Sequence, residues 1–180
     1  MEQLVLVDRD GQEIGTAEKM AAHQGAGRLH LAFSILVFNQ RGEVLLQRRA
    51  DCKYHFAGLW SNTCCGHPRP GEGVLEAGER RLKEEFGLQL RLHRSGQLIY
   101  EANDASSGLM EHEYLHVLWG RYPENAGEPQ PDPAEIGAWE WRELEELQRV
   151  LKLSPERYAP WLPLVLSDLS SLDPMQSQPR

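Results

Sequence analysis

The sequence of 180 residues has three cysteines, no excess of basic residues, no internal repeat and no apolar run approaching membrane-spanning length. Each shortage excludes something. Cys52, Cys64 and Cys65 are an odd count and too few for a disulfide framework, so reduced thiols are expected. Adjacent Cys64 and Cys65 also point in different directions in most backbones. A spanning helix needs about 20 apolar residues, which no segment supplies. Residues 1–11 alternate apolar and acidic side chains and lack the basic and apolar stretches of an export signal, so a cytoplasmic location is expected. Acidic residues number 27 against 19 basic ones, a formal net charge of -8. That field repels polyanions and argues against nonspecific binding to nucleic acid or to a membrane surface. An anionic ligand would need a local basic pocket.

What is present is ordinary globular composition, 41% apolar and 26% charged, in a chain long enough for one core. One domain over residues 1–172 is expected, with a disordered tail from Asp173. Residues 4–8 with Asp10-Gly11 read as a strand and turn, and residues 17–23 as a short helix. Residues 31–38 and 44–46, joined by Asn39-Gln40-Arg41-Gly42, predict a hairpin whose strands are buried on both faces. Residues 51–73 are rich in Gly, Pro, Cys and His without a period, the kind of irregular connection that carries function. From Val74 to Phe86 the pattern is helical, with Leu75, Gly78, Leu82 and Phe86 facing the core and Gly87 as the stop. Arg81 and Glu85 share one flank of this helix; Arg80 and Glu84 share the other. Further strands are expected at residues 98–101, 111–120 and 138–141, a Pro-rich surface loop at 122–134, and a helix running to Leu151. Ser154-Pro155 reads as a helix start, with Ser154 as N-cap and a perturbation near Pro160 and Pro163.

Two constellations carry chemistry. The first is Gly66, Glu72 and the run Arg80-Arg81-Leu82-Lys83-Glu84-Glu85-Phe86-Gly87-Leu88. It resembles the Nudix box, a loop-helix-loop motif whose helix carboxylates hold Mg2+ against a diphosphate. Hard Mg2+ wants few carboxylates together with phosphate oxygens and water, and a helix edge presents them rigidly. Arg81 stands where that motif has a glutamate, so a carboxylate has become a cation. An arginine beside Glu85 clamps a diphosphate, which favours holding it over cutting it. The second is a set of metal-ligating types: His23, His30, His67 and the triplet Glu111-His112-Glu113, whose two carboxylates leave a strand on the same face. Three imidazoles and two carboxylates suit Mn2+ or Zn2+ in a five- or six-fold shell.

With Glu18-Lys19-Met20-Ala21-Ala22-His23, Arg28-Leu29-His30, Trp60-Ser61-Asn62-Thr63-Cys64-Cys65-Gly66-His67-Pro68 and Ala159-Pro160-Trp161, these strings resemble the type 1 isopentenyl diphosphate isomerases, a Nudix-fold family. The match runs from about Val5 to Trp161. The resemblance implies an α/β (α+β) fold, a Nudix-type mixed sheet flanked by helices. It implies that His23, His30, His67, Glu111 and Glu113 hold one Mn2+ or Zn2+ and that Glu85 contacts Mg2+ at the diphosphate. Lys19, Arg49, Lys53 and Arg81 match its diphosphate-binding positions, with Arg48 the rival to Arg49. The cysteine before Gly-His, Cys65, and Glu113 match its proton-transfer residues, with Tyr100 beside Glu113 and the ring of Trp161 facing the cation. Which of Cys65 and Glu113 gives and which takes the proton is open at this point. The implied partner is a small diphosphate, and the implied assembly a monomer or weak homodimer. Two other readings use the same fold: a Nudix pyrophosphohydrolase, which would release phosphate and survive loss of Cys65, and a silent binding module, which has no need of the His and Glu set.

Overall fold

The computed structural model describes residues 2–169, so the tail expected from Asp173 lies outside the described residues. Nine strands form one mixed sheet: β1 (Gln3–Val7), β2 (Glu13–Glu18), β3 (His30–Phe38), β4 (Val44–Arg49), β5 (Trp60–Ser61), β6 (Cys64–Gly66), β7 (Leu92–Asp104), β8 (Leu109–Arg121) and β9 (Ile136–Arg142). Four helices accompany them: α1 (Lys19–His23), α2 (Val74–Phe86), α3 (Leu144–Leu153) and α4 (Leu162–Asp168). Among the described residues, no helix is long and apolar enough to cross a membrane.

β3 is the hub. All nine of its residues are buried, and its alternation feeds two cores. Leu31, Phe33, Ile35 and Val37 face α2 with Val74, Ala77, Leu82 and Phe86. Ala32, Leu36 and Phe38 face the opposite layer with Leu147, Trp161, Leu162 and Val165. α2 has the predicted bounds, and Gly87 ends it in the left-handed region at φ +67°, its N–H reaching back to the last-turn carbonyls.

The predicted hairpin is only partly formed. β3 and β4 pair at Phe38 and Val44 beside the turn and then diverge, because β3 takes β8 as a parallel neighbour and β4 takes β9. The gap between them is filled by residues of the connection expected to be irregular. Thr63 accepts from the Val37 N–H at 2.9 Å and donates to the Leu45 carbonyl at 2.7 Å, while Asn62 donates to the Ile35 carbonyl at 3.0 Å.

Other boundaries also move. The strand β2 precedes the first helix, which is only one turn long, and β7 and β8 each extend well beyond the predicted spans. Ser154 makes no side-chain cap, and a short 3-10 turn at Pro155–Arg157 replaces the expected helix start. Pro163 instead lies in the first turn of α4, where its missing N–H costs nothing.

Candidate active site

α1 presents Lys19 and His23 on one side, four residues apart, and is capped by Glu18, which accepts the Ala21 N–H at 3.0 Å. His30 opens β3, His67 follows β6, and Glu111 and Glu113 leave one face of β8. The parallel register sets His30 beside Glu113, which brings these distant segments to one end of the sheet. His23, His30, His67 and Glu111 each offer a ligand atom within 4.8 Å of the others. Glu113 borders this set, its Oε1 lying 3.2 Å from Nε2 of His67 and 3.8 Å from Nε2 of His30.

The donor chemistry of this cluster fits a divalent ion. The Nδ1–H groups of His23 and His30 donate to the carbonyls of Lys19 and Arg28, each at 2.7 Å, which aims the Nε2 edges of both rings inward. Burial pushes His30 down to about 4 and His67 well below the ordinary histidine range, so both rings are neutral. Their Nε2 atoms face each other at 3.3 Å. Burial opposes protonation of His23 too, yet the hydrogen bond and charge of Glu111 carry it above its ordinary value. The two carboxylates divide the charge. Burial works against ionisation of Glu111, but hydrogen bonds from His23 and His55 outweigh it and hold Glu111 well below the usual carboxylate range. Burial, followed by the charge of Glu111, pushes Glu113 well above that range. The neutral imidazoles of His30 and His67, converging beside an ionised Glu111, are the donors that a transition ion takes.

The same cleft, about 340 Å3, is lined by Cys65, Glu113, Tyr100, Trp161, Lys19, Arg49, Lys53, Arg81 and Glu85. β6 alternation separates the two cysteines. Cys64 is buried in the α2-side core, and Cys65 packs against the opposite one. Sγ of Cys65 lies 3.3 Å from both the Ser34 hydroxyl and Oδ1 of Asn62, and burial pushes the thiol up to about 11. The neutral thiol is therefore its resting form. Oδ1 of Asn62 also accepts from Nε1 of Trp161 at 2.9 Å, so one amide holds both side chains. Tyr100 sits across from Glu113 in the β7–β8 register and bonds to it.

On the diphosphate side, Arg81 pairs with Glu85, and Lys53 pairs with Glu135. Arg81 also reaches Glu135 at 3.3 Å and Glu84 at 2.6 Å. Glu85 is buried and accepts from Nε2 of Gln47 at 3.0 Å. With its carboxylate compensated by Arg81, Glu85 suits Mg2+ only in company with phosphate oxygens that take over the arginine. Gly66 permits the approach: a Cβ there would meet Phe33 at 2.9 Å and Arg81 at 3.2 Å. Arg48 turns outward to Asp51, whereas Arg49 is buried and lies over the Trp161 ring at 5.7 Å, which separates the two rivals.

The NUDIX domain family model matches residues 28–165. An isopentenyl-diphosphate Delta-isomerase of Halorhodospira halophila is 61% identical over 161 residues, covering 89% of this chain and 91% of that protein. This chain belongs to that isomerase family. Its counterpart in Serratia proteamaculans is 42% identical over 170 residues, 94% of this chain and 92% of the relative. The family fold is shared more widely. A crystal structure from Deinococcus radiodurans superposes with a TM-score of 0.71 at 19% identity, covering 91% of this chain and 97% of its own. The MutT protein of Methanosarcina mazei gives a TM-score of 0.61 at 18% identity, with 81% and 96% covered.

In this member of the isomerase family, several residues that line or support the site were given no role by the sequence. Gln47, Asn62, Ser34 and Glu135 are polar residues that become important only through what they face. Tyr54 and His55 lie in the irregular connection, where a single histidine is ordinarily a surface residue. That connection is pinned hard. Nε and Nη2 of Arg49 donate to the carbonyls of Phe56 and His55 at 3.1 and 3.0 Å, which leaves fewer of its donors for a ligand than the resemblance implies. Phe56 is held in the left-handed region at φ +47°, its N–H donating to Asp104 at 2.9 Å.

Asp104 also accepts from the Ser106 N–H and hydroxyl and from the Ser107 hydroxyl, at 3.0, 2.7 and 2.8 Å. Burial opposes its ionisation, but these donors hold it well below the usual carboxylate range. Its contribution is therefore complete above an unfolded-state value of about 3.9 and is lost as pH falls below that. Asp104→Asn is expected to cost about 1.5–3 kcal/mol at pH 7, the worth of hydrogen bonds to a charged group. In urea unfolding, the gap between wild type and variant should narrow from pH 6 to pH 3. A gap independent of pH would remove Asp104 from the account of this loop.

Proposed function

We propose that this chain moves the double bond of isopentenyl diphosphate to give dimethylallyl diphosphate, by placing a proton on the terminal alkene carbon and removing one from the carbon on the other side. The observation that supports it best is one cleft lined by a thiol, a carboxyl, an indole and four cations. Lys19, Arg49, Lys53 and Arg81 would neutralise the diphosphate that an acidic protein otherwise repels. Arg81 in place of a carboxylate favours holding that group intact.

His23, His30, His67, Glu111 and Glu113 would hold one Mn2+ or Zn2+, and Glu85 would meet Mg2+ carried in with the diphosphate. Bound there, such ions supply positive charge that neutralises phosphate and tunes carboxyl acidity. The chain's own residues do the rest. An unactivated alkene is a feeble base, so the acid must be neutral, close and shielded from water. Cys65 and Glu113 are assigned the proton transfers, with the Tyr100 hydroxyl fixing the Glu113 carboxyl. A tertiary carbocation forms between the two transfers. The Trp161 face would stabilise it, by about 2 kcal/mol or more in a desolvated site. A cytoplasmic location and a monomeric or weakly dimeric state belong to the same proposal.

Incubation with isopentenyl diphosphate in deuterated water tests this. The expected result, followed by NMR, is dimethylallyl diphosphate carrying deuterium at the methyl derived from the alkene terminus. Phosphate release without label would sink the reading in favour of a hydrolase.

A further inference from the structure

The sequence predicts three imidazoles at the metal cluster, and the fold brings a fourth to its edge. His55 is buried, with 7% of its surface exposed, and its Nε2–H donates to Oε1 of Glu111. The other oxygen of that carboxylate, Oε2, faces Nε2 of His23 at 3.1 Å. His55 is not itself one of the four residues whose ligand atoms converge within 4.8 Å. Its Nδ1 is buried without a hydrogen-bond partner.

The backbone of the loop is held by groups other than this ring. Arg49 holds the carbonyls of His55 and Phe56, Asp104 holds the Phe56 N–H, and the Phe56 ring packs edge-on against Trp161 at 5.3 Å between centroids. The imidazole adds ring contacts with Tyr54 at 4.2 Å, Phe56 at 5.4 Å and His23 at 5.7 Å, and one hydrogen bond, to Glu111. A histidine retained for the scaffold would satisfy both nitrogens. This one is satisfied only where it meets the carboxylate, and the left-handed backbone at Phe56 beside it is the kind of local strain that over-determined functional loops retain.

We propose that His55 is the positioning residue of Glu111: by taking Oε1 it presents the single oxygen Oε2 to the imidazole cluster. It acts through Glu111, as a partner outside the ligand set that fixes the rotamer and charge of a ligand. The inference rests on the reading of His23, His30, His67 and Glu111 as a transition-ion site.

Isothermal titration of the metal-free protein with Mn2+, and separately with Zn2+, tests it on three variants. His55→Leu is expected to weaken binding about 10- to 100-fold, the effect typical of losing an outer partner of a metal ligand. His55→Gln, whose amide N–H reaches where Nε2 sits, is expected to stay within about threefold of wild type. His55→Asn carries the same amide on a stem too short to reach Glu111 and should behave as the leucine variant does; it keeps the test open if leucine prevents folding. The urea midpoint of the metal-free protein should be the same for the asparagine and glutamine variants, so a purely structural role would not separate them. Equal metal affinity in all variants overturns the positioning role while leaving the metal site intact. Wild-type protein that binds neither ion overturns both.

Discussion

Replacing Cys65 with alanine is expected to remove isomerisation almost completely, lowering kcat by about a thousandfold or more, while leaving diphosphate binding within about twofold. The size follows from what a positioned acid or base contributes, about 10²- to 10⁴-fold, on a substrate too weakly basic to take a proton from water. The selectivity follows from geometry. Sγ of Cys65 hydrogen-bonds with Ser34 and Asn62 and with none of the four cations, which come from α1 (Lys19), the end of β4 (Arg49), the connection after it (Lys53) and α2 (Arg81). The thiol is small, so alanine leaves a void of little more than one atom. Single-turnover deuterium incorporation reads the chemical step, and titration with inorganic pyrophosphate in the presence of Mg2+ reads the binding step. Retained turnover with label would exclude Cys65 from proton transfer. A parallel collapse of pyrophosphate binding would mean that the substitution had disturbed the cleft as a whole.

The second large effect is expected at Arg81. Its guanidinium meets Glu84, Glu85 and Glu135, and Glu85 is 3% exposed, so truncation strands a buried carboxylate as well as removing a cation. Breaking one partner of such a pair costs about 3–5 kcal/mol in a buried setting, and the partial exposure of Arg81 places the loss toward the lower bound. Loss of a bidentate donor to the diphosphate adds a separate penalty in binding, about 100-fold for some 3 kcal/mol. Arg81→Ala should therefore unfold at lower urea and bind pyrophosphate about 100-fold more weakly. Arg81→Lys should recover most of the stability and only part of the affinity, because an ammonium supplies charge without the planar fork. Pyrophosphate affinity within threefold of wild type in Arg81→Ala would refute the clamp.

Much of this was legible beforehand, and for a physical reason. Residues 31–38 could be placed because a strand buried on both faces must be apolar throughout, and α2 because its apolar positions recur with a helical period and end at Gly87. The cluster of His23, His30, His67 and Glu111, with Glu113 at its border, and the pairing of Arg81 with Glu85 were legible through family-like strings and helical spacing. Other residues offered no such handle. Asp104 looks like any turn aspartate, and Gln47 like any strand glutamine, until Phe56 and Glu85 are seen against them. The hairpin expectation failed beyond its first pair because periodicity states that a strand is buried without saying which neighbour covers it.

What the sequence by itself determined is the inventory: the main strands and the helix α2, which residue types can hold a metal or a diphosphate, and that Cys65 rather than Cys64 precedes Gly66-His67. Only the tertiary structure decided how those parts are joined. β3 and β4 part after Phe38 and Val44 because each pairs more extensively elsewhere, and Asn62 and Thr63 fill the gap through hydrogen bonds to both sides. The parallel β3–β8 register sets His30 beside Glu113 across more than eighty residues of chain. His55 reaches Glu111 because Arg49 and Asp104 fix a backbone that local preference alone disfavours. Side-chain chemistry is local and can be read along the chain; partnership depends on long-range pairing, which no local pattern encodes.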